Sequence, residues 1–284
     1  MKPTKDQTLG YYRQALERCL EAFARLDEND WRKKASNRWT AREHLGHLVV
    51  TQEEESNRLT RQAIAGEPGN VPGLEKREDM AAFREKTLAS VRDVPVADLL
   101  KRLRLALEEH IQMLQSISEA DLDRPAISPS WDRPGTIRDL FFASYLFLPG
   151  QYQEIRRVAK KKLPHWMEAS TPEQVHFHLD RTFHYMPLIF WSSRGADMNV
   201  TYVFTMEGAG GGQWSVLIGG GKAESQDGAP PQFDTEVKTK PELWMDLAMG
   251  ELNPVWAITT RKVQLGGNAG LAMKLGTLFS AGGE

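Results

Sequence analysis

Between Asn199 and Phe279 the apolar residues follow a period of two, and glycines punctuate the run. In NVTYVFTMEG, Val200, Tyr202, Phe204 and Met206 share one parity; in GGQWSVLIGGGK, Trp214, Val216 and Ile218 do. Such alternation marks strands with one buried face. Gly208 to Gly212 then reads as a loose hairpin connection and Gly219 to Gly221 as the next bend. Pro241 opens a helix with Leu243, Trp244 and Leu247 on one stripe, and Gly250 stands where a glycine stop belongs. A last helix after Asn268 carries Leu271, Leu275, Leu278 and Phe279. The stretch is a small α+β domain with a mainly antiparallel sheet.

The preceding residues have a helical period. Leu9, Tyr12, Leu16, Leu20 and Phe23 place the first helix over about Thr8 to Leu26. Thr40 and Glu43 form a capping box that opens a second helix, ending near Gly66. A shorter helix is expected over Glu78 to Val91 and a long one over Val96 to Ile117. Thr136 and Asp139 cap a final helix running to about Lys162, with a kink or break expected at Pro149-Gly150. Four long apolar-striped helices joined by proline-bearing loops make a four-helix bundle. A chain of 284 residues exceeds one average core, so two domains are expected, residues 1–165 and 166–284.

The formal net charge of −2 gives no global attraction to nucleic acid or an anionic membrane. No apolar run is long enough to span a bilayer, the polar N-terminus has no signal-peptide core, and the lone Cys19 excludes an intrachain disulfide. A cytoplasmic location follows as an expectation, with Cys19 an inert core thiol.

The order of parts is more specific than the parts. A helix opening on Thr171-Pro172-Glu173, apolar strands, a glycine-rich hairpin, Met249-Gly250-Glu251-Leu252-Asn253-Pro254, Lys262-Val263, Gly266-Gly267-Asn268 and a terminal apolar helix resemble the sterol carrier protein 2 (SCP2) family over about Thr171 to Phe279. One departure is Arg261-Lys262 where the family has a Gly-Lys step, taken as a turn variation. The resemblance implies a hydrophobic tunnel for sterols, fatty acyl chains or similar lipids and no catalytic residues. The residues expected to line it are Leu188, Phe190, Trp191, Tyr202, Phe204, Trp214, Val216, Ile218, Leu243, Leu247, Met273 and Leu278.

The stretch RWTAREHLGHLVVTQEE with the later GTIRDLFF resembles the DinB superfamily over about Leu9 to Lys162. Its members include thiol-dependent transferases and a mycothiol-dependent maleylpyruvate isomerase, which also joins such a bundle to a small α/β domain. The resemblance implies a divalent metal held by one histidine on the second helix and an H-x3-H pair on the fourth. His47 matches the first ligand; the other two positions fall on Phe147 and Gln151, so His47 is the one retained ligand position. Phe147 cannot bind metal, and glutamine is a poor replacement for imidazole.

Other residues that carry chemistry have bland readings. His44 is one turn before His47, and His110, on the inner stripe of the third long helix, can in principle face it. Glu53, Glu54 and Glu55 read as a solvated face. His176 and His178 point to different sides of a helix and, with His165 and His184, read as scattered polar residues. No G-x-S-x-G elbow occurs, and the glycine runs lack the Lys-Ser/Thr ending of a phosphate loop. Arg156, Arg157 and Lys160 to Lys162 read as a basic helix end, with transient docking on anionic lipid as the sharper reading.

The expected function is therefore non-catalytic binding or transfer of a hydrophobic ligand, with the bundle as partner or lid and no cofactor. The alternative is a thiol- and metal-dependent transferase or isomerase using zinc or another divalent metal. No nucleic-acid partner is expected. A dimerisation or scaffold module is a third reading, with a homodimer as its simplest form, since bundles of this kind often pair.

Overall fold

The computed structural model describes residues 3–36, 39–159 and 163–279. They fall into two compact units, within Met1–His165 and Trp166–Ala281.

In the first unit α1 (Lys5–Ala24) opens on a capping box between Thr4 and Gln7 and buries Leu9, Tyr12, Leu16, Cys19, Leu20 and Phe23. α2 (Ala41–Val50) opens on the Thr40/Glu43 box, and it does not end where a regular helix would. It passes through a π-helical turn, Thr51–Ser56, into α3 (Asn57–Ala65), which stops at Gly66 with φ 76°. A π turn adds a residue and rotates the side chains beyond it around the axis. α4 (Met80–Ser90) packs on α2 at Gly46, where a Cβ would come within 3.1 Å of Leu88 and Val91 side-chain carbons. α5 (Val96–Ser116) follows, then the two-residue strands β1 (Pro125–Ala126) and β2 (Gly135–Thr136), paired antiparallel.

α6 (Ile137–Val158) opens on the Thr136/Asp139 box and runs through Pro149 without the break that was one of the two expectations there. Leu148, Tyr152, Ile155 and Val158 remain buried on both sides of the proline, so packing offsets the lost backbone hydrogen bond. Of the basic cluster, Arg156 donates to the Leu163 carbonyl and Arg157 pairs with Glu154; Lys160 to Lys162 lie outside the described residues. α1 packs against α5 and α6, and the α2–α3 rod packs against both as well. Among the described residues, no helix is long and apolar enough to cross a membrane.

The second unit begins with α7 (Pro172–Tyr185), capped by Thr171 and Gln174, then a 3-10 turn (Met186–Ile189) and the single turn α8 (Ser192–Gly195). Its sheet comprises β3 (Val200–Met206), β4 (Gly212–Gly219), β5 (Lys222–Asp227), β6 (Thr235–Thr239) and β7 (Gln264–Gly267), in the order β5-β4-β3-β6-β7. Every pairing is antiparallel except β3 with β6. The β4–β5 hairpin turns on Gly220 and Gly221, whose φ values of 56° and 72° are those of a tight primed turn.

α9 (Pro241–Ala248) is followed by Gly250 at φ 67°. Between it and β7 lies a helix that was not expected, α10 (Pro254–Thr259), whose N-cap Asn253 accepts from the Trp256 backbone N–H. The expected single terminal helix is two short ones, α11 (Ala269–Ala272) and α12 (Leu275–Leu278). The reason is tertiary: the Leu271 carbonyl accepts from the Tyr202 hydroxyl at 3.1 Å and from Lys274 N–H at 3.0 Å, which interrupts the ladder between the two turns, and the Leu278 carbonyl accepts from Trp191 N–H at 2.8 Å with Phe279 paired to Phe190, which ends α12.

Candidate functional site

Strand register assembles the apolar surface. Tyr202 stands opposite Val216 and Phe204 opposite Trp214, so one face of β3 and β4 carries Tyr202, Phe204, Met206, Trp214, Val216 and Ile218, all buried. α7 lies on this face: the Phe183 ring is centred 4.6 Å from Phe204, 5.0 Å from Trp214 and 5.2 Å from Trp244 of α9. The Trp214 indole N–H donates to Asp180 Oδ1 at 3.1 Å, satisfying a group that burial would otherwise orphan. At the other end the Tyr202 hydroxyl donates to the Leu271 carbonyl at 3.1 Å, tying α11 to the sheet; burial pushes this phenol up to about 12.

The expected lining residues divide. Leu188, Phe190 and Leu278 are buried with the sheet residues, and the Phe190 ring lies 5.6 Å from Phe279. Leu243 and Leu247 are half-buried. Trp191 is half-buried with the Arg194 guanidinium 4.3 Å from its ring centre. Met273 is 50 % exposed, because it follows the short α11 instead of sitting mid-helix. Trp244 was placed on the right stripe by its spacing, but its chemistry was not legible. Its Nε1–H is buried and has no hydrogen-bond partner, an unusual state for an indole donor.

A second group escaped the sequence reading, which took His184 as a scattered polar residue. His184 Nε2 lies 2.9 Å from Asp227 Oδ1 and 3.6 Å from Asp180 Oδ1, and its Nδ1 is 2.9 Å from Ser225 Oγ. Asp180 and His184 are one turn apart on α7, a spacing visible in the sequence; Asp227 on β5 is supplied by the fold. The hydrogen bond from His184 holds the Asp227 carboxyl below its ordinary range. Among the described residues this is the set of three His, Cys, Asp or Glu ligand atoms that come within 4.8 Å of one another. Asp180 is already engaged by Arg181 and Trp214, so the group serves as a polar clamp between α7 and β5. His176 is exposed and His178 buried, the opposite-side placement their spacing requires.

In the helical unit His47 is enclosed by rings: Trp39 at 4.5 Å and Phe147, edge-on, at 6.4 Å. Its Nδ1 is 3.2 Å from Thr51 Oγ1, and burial, reinforced by Arg84 and His44, pushes its pKa down to about 3. Gln151 Oε1 accepts from His44 Nδ1 at 2.8 Å, and His44 Nε2 is 2.9 Å from Ser36 Oγ. The three-imidazole set implied by the family resemblance thus meets a benzene ring at one position and an amide oxygen bound to His44 at another. His110 sits between Tyr12 and Phe141 rings, and its Nδ1–H donates to Asn57 Oδ1 at 2.8 Å. Asn57 continues a buried chain through Gln52 and Ser144 to Tyr12. The glutamate run is not one solvated face. Glu53 pairs with Arg102 and Glu54 with Arg58, whereas the π turn carries Glu55 inward, where burial pushes its carboxyl up to about 7.

Comparison with known families matches residues 11–143 to the DinB superfamily and residues 194–280 to the SCP-2 sterol transfer family. The chain is similar in structure to a mutant of the mycothiol-dependent maleylpyruvate isomerase, with a TM-score of 0.56 and 14% identity over 87% of this chain and 89% of that one. The unaltered isomerase aligns over the same shares with a TM-score of 0.54 and 13% identity. At these identities the likeness establishes the fold. No curated protein matches the chain by sequence.

Proposed function

We propose, for a chain built as a DinB-like helical unit followed by an SCP2-like domain, that the second domain binds and carries a hydrophobic ligand bearing one polar oxygen. A sterol hydroxyl or a fatty acyl carboxyl fits that description. The observation that carries the reading is Trp244: its indole N–H is buried without an acceptor, beside the Phe183 and Phe204 rings, in a domain matched to a sterol transfer family. A ligand oxygen would pair that donor while the hydrocarbon gains ~0.8 kcal/mol for each methylene it buries. The half-buried Leu243, Leu247, Leu271 and Leu275 add apolar surface for the same purpose. No covalent step is required of the domain, and the reading assigns the helical unit no resident metal.

Native mass spectrometry of the chain purified from cells, followed by titration with a fluorescent fatty acid, tests this. The expected result is a bound apolar species, with Trp244→Phe weakening the fatty acid about tenfold and leaving a headless hydrocarbon probe unaffected, as one buried hydrogen bond implies. A chain that neither copurifies with nor binds any apolar ligand would sink the reading.

A second reading, a thiol- and metal-dependent isomerase, is favoured by the likeness across both units to the maleylpyruvate isomerase. It requires a metal at His47 despite the Phe147 ring and the engaged Gln151. Stoichiometric zinc binding abolished by His47→Ala would establish it over carriage.

A further inference from the structure

Two helices of the second unit end in the same hydrogen-bonded pattern but with different residues at its critical position. α9 closes with Gly250 N–H donating to the Leu247 carbonyl at 3.0 Å and Glu251 N–H to the Asp246 carbonyl at 2.8 Å. α10 closes with Arg261 N–H donating to the Ile258 carbonyl at 3.0 Å and Lys262 N–H to the Ala257 carbonyl at 2.9 Å. Both are the paired closure that requires a left-handed residue after the helix. At α9 that residue is Gly250, φ 67°; at α10 it is Arg261, φ 58°, the one non-glycine residue with positive φ among those described. Glycine adopts this conformation freely and L side chains avoid it. A strained position kept by a bulky side chain directs attention to what the side chain does there.

Its surroundings are specific. α10 is anchored from beneath by Ala257 and Val263, both buried. Outward it presents Val255, 60 % exposed, and Trp256, 48 % exposed. Lys262 Nζ lies 4.3 Å from the Trp256 ring centre, and neither Arg261 nor Lys262 forms an ion pair with a described residue. The tip therefore combines an exposed indole, an exposed aliphatic side chain and two cations without a described carboxylate partner on a short helix.

We propose that this tip, Val255, Trp256, Arg261 and Lys262, docks the domain on a bilayer containing anionic lipids. Indole rings favour the level of the headgroups, aliphatic side chains the acyl boundary just below, and lysine and arginine the anionic phosphates and carboxylates above. Four side chains fall far short of the ~1,200 Å² that a stable protein interface buries, whereas a lipid surface needs no matched partner shape. The proposal goes beyond ligand binding and does not depend on it: a tip can dock whether or not the interior holds a lipid.

Flotation of the full chain with vesicles of phosphatidylcholine, alone or mixed with phosphatidylglycerol, tests the assignment. Binding should be stronger to the mixed vesicles. Trp256→Ser should weaken binding to both, and Arg261→Gly should weaken binding to the mixed vesicles about fivefold, the effect of one cation near such a surface. Arg261→Gly also removes the backbone strain, so its urea midpoint should rise while its membrane affinity falls. Loss of binding then cannot be a loss of folding. A wild type indifferent to lipid charge, or an Arg261→Gly chain that floats as the wild type does, overturns the proposal.

Discussion

Replacing His110 with phenylalanine should make the helical unit gain stability over the wild type as the pH falls from neutral into acid. His110 is fully buried between Tyr12 and Phe141, and burial moves its pKa from the ordinary 6.5 down to about 3. The folded chain therefore holds a neutral ring with its proton on Nδ1, donated to Asn57 Oδ1. The unfolded chain binds more protons between those two values, so the contribution to stability is complete above pH 6.5 and lost as pH falls toward 3. At about pH 5 the loss amounts to ~2 kcal/mol. Phenylalanine fits between the same two rings and does not titrate, and Asn57 Oδ1 still accepts from Gln52 Nε2 at 2.7 Å. The variant forfeits one buried hydrogen bond, ~1 kcal/mol, and removes the Nε2 acceptor that burial leaves without a partner, two effects of opposite sign that do not depend on pH. The wild-type-minus-variant difference should therefore fall by ~2 kcal/mol between about pH 7.5 and about pH 5. Urea unfolding followed by far-ultraviolet circular dichroism at both pH values measures the difference. A wild-type-minus-variant difference that is the same at the two would refute the argument that His110 is held neutral.

Glu55 should behave in the opposite sense: its carboxyl, raised from 4.5 to about 7 by burial, contributes stability at low pH that is lost as pH rises through 7. Glu55→Gln should therefore raise the unfolding free energy measured in urea at about pH 8, by roughly 3 kcal/mol at most, and change it little near pH 4. Truncating Phe183, fully buried against three aromatic rings, should cost about 3–5 kcal/mol and reduce the near-ultraviolet dichroism of Trp214 and Trp244. Cys19, fully buried and with its thiol pushed up to about 12, should resist iodoacetamide until the chain is unfolded; rapid labelling of the folded protein would contradict the packing of α1.

Local rules account for what could be read directly. The capping boxes at Thr40 and Thr136, the helix opening at Thr171, the stop at Gly66, the parity of β3 and β4 and the glycine hairpins depend on residues a few positions apart, and the structure has them. The family order of parts was legible for the same reason, because short motifs keep their spacing. The unbroken passage through Pro149 was not, since it depends on what packs against the helix on either side.

Several features were decided by tertiary structure alone. Asp180 and His184 are neighbours on α7 by spacing, yet Asp227 joins them because β5 pairs with β4 beneath that helix. Glu55 belongs by composition to a solvated run, and the π turn carries it inward, a change of helical register that periodicity cannot foresee. Trp244 reads as one more stripe residue; that its N–H lacks an acceptor follows from every group around it. Arg261 lies in a turn recognisable from sequence, but its left-handed backbone appears once Ala257 and Ile258 accept the two closing hydrogen bonds. Sequence determines what neighbours along the chain can satisfy between themselves. Burial, unpaired donors and strain depend on the sum of contacts from distant segments, and that sum exists once the chain has folded.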